Sequence, residues 1–241
     1  MASGYSCYSP LSIMGNGAPV RSPLVIAPRN RATMPRPRLD FSGFHPRHLH
    51  HPRGLMSRPR QQHFPRIHSG GDKRAWSFIC EKPIIFIGDS NLARIPKFPY
   101  LNVQVESFSG ANFVNIDWMM KRRFARNHIE NHVQTVVLCQ GINLRDSTDS
   151  TMIKVQLALL HRRCREVFPN AIIYVAQTNF SPGLSLRQRD TLNTLNDYIA
   201  VNYRYLKPLE ASKFQTTPDN IHWTPETARL IFQHYLSQIN Y

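Results

Sequence analysis

No stretch of the 241 residues approaches the ~18 consecutive apolar residues needed to span a membrane. The first residues lack the basic start and apolar core of a secretory leader, so the expected setting is intracellular. Cysteine is scarce. Cys7, Cys80, Cys139 and Cys164 include no Cys-x-x-Cys pair, which argues against a disulfide framework and against a zinc module. Cys139 and Cys164 sit in apolar contexts and read as small core residues. Acidic residues are scarcest at the front. Residues 1–75 hold eleven Arg and one Lys against only Asp40 and Asp72, a net of +10. The other 166 residues carry eighteen basic and thirteen acidic groups, a net of +5.

That front third also holds ten of the eighteen prolines and six of the eleven histidines. Pro-Arg units recur at Pro35-Arg36-Pro37-Arg38, Pro46-Arg47, Pro52-Arg53 and Pro59-Arg60. Neither helical nor strand periodicity survives there, and apolar residues are too few to offset chain entropy. Residues 1–75 are therefore expected to form a disordered basic arm. The charge points to RNA or DNA as partner through phosphate neutralisation, with an anionic membrane surface as the second choice. The histidines His45, His48, His50, His51, His63 and His68 lack the ligand spacing of a structural metal site, so no metal is expected.

From Trp76 to Tyr241 the pattern alternates strand and helix. Four large apolar residues, Ile84–Ile87, run into Gly88-Asp89-Ser90. Such a run, bounded by Pro83 and Gly88, reads as a strand buried on both faces of a parallel sheet. Further strands are expected at 103–108, 133–139 and 171–176, with a weak fifth at 213–215. Helices are expected on Phe113, Ile116, Met120 and Phe124, and from 151 to 168 with Met152, Val155, Leu159, Leu160, Cys164 and Val167 inward. A third carries Leu192, Leu195, Ile199 and Tyr203. The last begins at Thr224-Pro225, a good N-cap followed by proline at the first helical position. Alternation of this kind implies a mainly parallel five-stranded sheet with helices on both faces, in one domain spanning 76–241.

In open α/β sheets the loops after the strands meet at one edge and carry the chemistry. Here those loops supply Ser90, Gly110, Gly141-x-Asn143 and, before the last helix, Asp219-Asn220-Ile221-His222. A serine nucleophile needs a base, and His222 is the natural one. The imidazole needs a carboxylate to fix its tautomer, and Asp219 is three residues away. The backbone amides of Ser90 and Gly110 and the side-chain amide of Asn143 are candidate oxyanion donors. A Gly-Asp-Ser triplet alone is weak, arising by chance in roughly one such chain in twenty. The ordered set of four is specific. The cluster Lys121, Arg122, Arg123 and Arg126 reads either as an extension of a nucleic-acid surface or as cations at a helix carboxyl end, favoured by the macrodipole.

In that order, Gly88-Asp89-Ser90, Gly110, Gly141-x-Asn143 and Asp219-x-x-His222 resemble the four blocks of the GDSL or SGNH hydrolase superfamily, over residues 82–241. The resemblance implies a flavodoxin-like three-layer αβα sandwich and hydrolysis of acyl esters, acetyl or lipid, with no cofactor. It implies Ser90 as nucleophile, His222 as base, Asp219 as its orienting acid, and Ser90, Gly110 and Asn143 as the oxyanion hole. Asn91 departs from the leucine of the family name, and Asp89 would brace the loop rather than serve in the triad. A narrower resemblance is to esterase domains in the open reading frames of vertebrate retrotransposons, which stand beside basic segments. Two uses stay open: an active esterase, or a nucleic-acid-binding structural component of a mobile element or virus with a vestigial esterase fold.

Overall fold

A computed structural model describes residues 62–241, so most of the expected arm lies outside the described residues. The strands are β1 (Arg66–His68), β2 (Ile84–Gly88), β3 (Val103–Phe108), β4 (Thr135–Cys139), β5 (Ile172–Ala176) and β6 (Tyr205–Leu206). They form one sheet in the order β1-β3-β2-β4-β5-β6, and every neighbouring pair is parallel. Parallel pairing forces crossovers: the helices α1 (Phe113–Ala125), α2 (Ser150–Val167) and α3 (Leu186–Asn202) provide those from β3 through β6, a single 3-10 turn (Leu92–Arg94) lies between β2 and β3, and α4 (Pro225–Gln238) follows the last strand.

Side chains alternate across β2 and so address two cores. Ile85 and Ile87 pack with Phe113, Ile116 and Met120 of α1, Leu157 and Leu160 of α2 and Ile199 of α3. Phe86 faces the other way, onto Ile231, Phe232 and Tyr235 of α4. All three β2 side chains are fully buried, which is why the run carries no polar position. The result is the expected three-layer sandwich, with α1, α2 and α3 on one face and α4 on the other. No described helix is long and apolar enough to cross a membrane.

Three details differ from the sequence reading. The sheet has six strands. The stretch expected as a fifth strand, 213–215, begins inside a single 3-10 turn at Ala211–Lys213, and the edge strand is the two-residue β6, too short to leave a period. The other addition, β1, falls inside the expected arm, so the folded domain starts before Trp76. Polar contacts attach it to the sheet. Glu106 of β3 is fully buried and accepts a 2.6 Å hydrogen bond from His68 Nε2, and His68 stacks on Phe108 at 4.3 Å. A strand fastened this way shows no apolar pattern.

The second difference concerns the cations of α1. Arg123 is buried and donates to the Phe78 carbonyl at 2.5 Å while pairing with Glu130, and Arg122 donates to the Trp76 carbonyl. Both fasten the segment 76–80 to the domain, so neither is a free helix-end charge. Third, α2 buries Ile153, Leu157, Leu160, Cys164 and Val167, whereas Met152, Val155 and Leu159 are exposed. Extending the 160–164–167 line back at helical spacing leads to 157 and 153. The helix has apolar residues on both faces, and of those expected inward Leu160, Cys164 and Val167 are buried while Met152, Val155 and Leu159 are not.

Candidate active site

With β1 set aside, β2 is flanked by β3 on one side and by β4 on the other, so the chain reverses direction across it. The crevice beyond the carboxyl end of the strand at such a switch point is where open sheets bind ligands. Ser90 stands there, two residues past β2. Gly88 is required for the approach: a Cβ on it would lie 2.3 Å from the Cys139 carbonyl oxygen. The turn is braced by Ser107 Oγ donating to the Asp89 carbonyl at 2.9 Å, and by the Asn91 amide donating to Asp89 Oδ1 at 3.0 Å.

The histidine expected as base arrives from 132 residues further on. His222 Nε2 lies 3.2 Å from Ser90 Oγ. Its other nitrogen, Nδ1, is 2.5 Å from Asp219 Oδ2. An ionised carboxylate only accepts, so Nδ1 carries the proton and Nε2 is left free to accept from the serine. The loop that presents both residues is closed on itself. Asp219 Oδ1 accepts from the Ile221 and His222 amides at 2.9 and 3.0 Å and from Thr217 Oγ1 at 2.8 Å. Asn220 takes a left-handed conformation with φ 59°, which asparagine tolerates. The hydrogen bond from the ring, followed by those from the backbone, holds the Asp219 carboxyl well below the usual carboxylate range. The pair is open to solvent, with the side chains of His222 and Asp219 31% and 43% exposed. A substrate would therefore complete the exclusion of water itself.

Gly110 and Asn143 follow β3 and β4. Gly110 adopts φ 68°, where a side chain would be strained. Asn143 Nδ2 donates to the Ala111 carbonyl at 2.9 Å, so the two loops are joined, and the second N–H of that amide has no acceptor among the described residues. The structure thus unites Ser90, His222 and Asp219 directly, and joins Asn143 to the Gly110 loop at the same sheet edge.

Two contributors escaped the sequence reading. Lys73 donates to the Gly110 carbonyl at 2.7 Å, fixing that peptide from a segment outside the four blocks. No motif marks it. Asn91 was legible only as a departure from the family pattern. Buried to 2% exposure, it donates from Nδ2 to the Ile221 carbonyl at 3.3 Å and accepts from the Trp223 amide at 3.0 Å. Those are the two residues flanking His222, so the residue after Ser90 grips the loop that carries His222. Leucine at 91 leaves the buried Trp223 amide unpaired, at a cost of about 1–3 kcal/mol. Asn91→Leu is expected to lower stability by that amount and kcat about tenfold. Chemical denaturation and steady-state kinetics on the same preparation check both, and unchanged values would remove Asn91 from the account.

Asp89 is the buried carboxyl of the turn. Burial pushes its pKa up to about 7, opposed by the Asn91 amide and by His222. A folded-state value raised above that of the unfolded chain means that the folded protein binds the extra proton between about pH 4 and pH 7. The Asp89 carboxylate therefore costs stability progressively as pH rises through that window. Asp89→Asn, which keeps the acceptor for the Asn91 amide, is expected to gain on the wild type in melting temperature from pH 4 to 7. Above pH 7 the gap should be flat. A constant gap across thermal melts at pH 4.5–8 would contradict the assignment.

No protein-family model matches the chain, and no curated protein matches it. Solved structures do. One is 14% identical, with 67% of this chain and 98% of that chain covered, at a TM-score of 0.51. Another is a putative platelet activating factor from Streptococcus pneumonia, 14% identical, covering 68% and 86% of the two chains at 0.49. A third, an aryl esterase of M. Smegmatis, is 12% identical, covering 66% and 99% at 0.49. The first of these likenesses shows the fold, an α/β three-layer sandwich on a parallel sheet, and at such identity it shows the fold alone.

Proposed function

We propose that the protein is a serine hydrolase of acyl esters. The observation that carries this reading is the unbroken Ser90 Oγ, His222 Nε2 and Nδ1, Asp219 Oδ2 series, at 3.2 and 2.5 Å. Ser90 Oγ attacks the acyl carbon as its proton passes to Nε2, and the carbonyl oxygen becomes an oxyanion. The backbone amides of Ser90 and Gly110 and the second N–H of Asn143 are the donors proposed for it. On collapse the ester C–O bond breaks and the leaving alcohol takes the proton from Nε2. Water, deprotonated by the same nitrogen, then attacks the acyl-serine and releases the acid. The open setting of His222 and Asp219 suits an accessible ester, such as an acetyl or lipid ester on a larger molecule.

The test is a rapid-mix measurement with a short-chain aryl acetate. An acyl-enzyme path with slow deacylation releases a burst of about one equivalent of aryl alcohol before the steady rate. Well-folded protein with neither burst nor turnover on a panel of acyl esters would favour the rival reading, a structural component that keeps the fold without the chemistry.

A further inference from the structure

Behind the Ser90 turn lies a cavity of about 20 Å³, lined by Asp89, Asn91, Gln140, Asn179, Trp223 and Tyr235 among others. All six are buried. Some of their polar groups are satisfied inside the protein. Asn179 donates to Tyr235 Oη and accepts from the Leu209 amide, both at 2.7 Å, and Asn91 is engaged as described above. Three atoms are not. Gln140 Oε1, Gln140 Nε2 and Trp223 Nε1 are fully enclosed and have no hydrogen-bond partner among the described residues. Gln140 is 3% and Trp223 5% exposed, so bulk water does not reach them.

Buried polar groups are paired in native proteins, by protein or by internal water. A cavity needs roughly 10–15 Å³ of this measure to hold one water, and the water needs two to four polar partners. This cavity meets the first condition for a single molecule, and Trp223, Gln140 and Asp89 of its lining are the candidate partners for the second. We propose that it is an internal water site, and that Gln140 and Trp223 are positioning residues for the site in front of it. The water accepts from the Trp223 indole N–H, bonds the Gln140 amide and donates toward the Asp89 carboxyl. Those three residues belong to three different segments. Asp89 precedes Ser90, Trp223 follows His222, and Gln140 leads into Gly141-Ile142-Asn143. One molecule thus ties nucleophile, base and oxyanion loops together from behind. Raised pKa at Asp89 is consistent with a carboxyl that has few partners of its own.

The water itself does not depend on the esterase reading, but its kinetic consequence rests on it. The experiment therefore has two readouts on the full chain. The first is a crystal structure of the wild type. A single density peak within about 3.2 Å of both Trp223 Nε1 and the Gln140 amide is expected. An empty cavity, or Gln140 bonded directly to the indole, would overturn the site whether or not the protein is active. The second compares Gln140→Met, which fills the space with an unbranched apolar chain, and Trp223→Phe, which removes the N–H and keeps a ring. Each is expected to lower kcat about tenfold with KM changed less than twofold, and the melting temperature identifies a variant that merely unfolds. With the water seen in the wild type, unaltered kcat in both folded variants would overturn the positioning role.

Discussion

Ser90→Ala is expected to lower turnover of a short-chain aryl ester by at least about 10³-fold, leaving the melting temperature within a few degrees of the wild type. The effect is large because nothing else in the site replaces the nucleophile. Triads lose nearly all acceleration when one member is removed, and the remainder comes from binding and oxyanion donors. The stability change is small because Ser90 Oγ makes one hydrogen bond, to His222, and no core contact depends on it. Measured kcat/KM with melts on the same samples checks both statements. Turnover that survives the substitution would place the chemistry elsewhere.

Asp219→Asn carries the second large effect. Asp219 Oδ1 is surrounded by three donors, the Ile221 and His222 amides and Thr217 Oγ1. In the variant the amide oxygen must stay with those donors, which turns the new NH2 toward His222 Nδ1. Two donors cannot face each other, so the ring gives up its Nδ1 proton and carries it on Nε2 instead. Nε2 then donates to Ser90 and no longer accepts from it. A fully buried acid held in this way is worth about 10⁴-fold in kcat. Here the carboxylate is 43% exposed, and solvent partly compensates, so a fall of about 10²- to 10³-fold is expected. A rate within tenfold of the wild type would show that Asp219 does not set the tautomer.

The candidate catalytic edge was legible because its residues sit at strand ends that the apolar runs announce. Ile84–Ile87 fixed the strand, the strand fixed where Ser90 emerges, and Thr224-Pro225 fixed the helix that follows His222. What could not be read was polar structure with no period. Strand β1 is held by a carboxylate, an imidazole and a guanidinium, and Arg123 is a buried clamp that looks in sequence like a solvated charge. Lys73 and Asn91 act through backbone groups, and a chain gives no sign of which carbonyl a side chain will meet. The first half of the α2 stripe, Met152, Val155 and Leu159, failed for another reason. Apolar residues occur on both faces of that helix, and only packing decides which are inside.

We propose Ser90 as a nucleophile activated by His222. The most direct measurement is covalent labelling with a fluorophosphonate, followed by mass spectrometry of the digested protein. One phosphonyl group per chain is predicted, on the peptide containing Ser90, and it should be absent from Ser90→Ala and strongly slowed in Asp219→Asn. Label on another residue, or no label on folded protein that hydrolyses esters, would contradict the account.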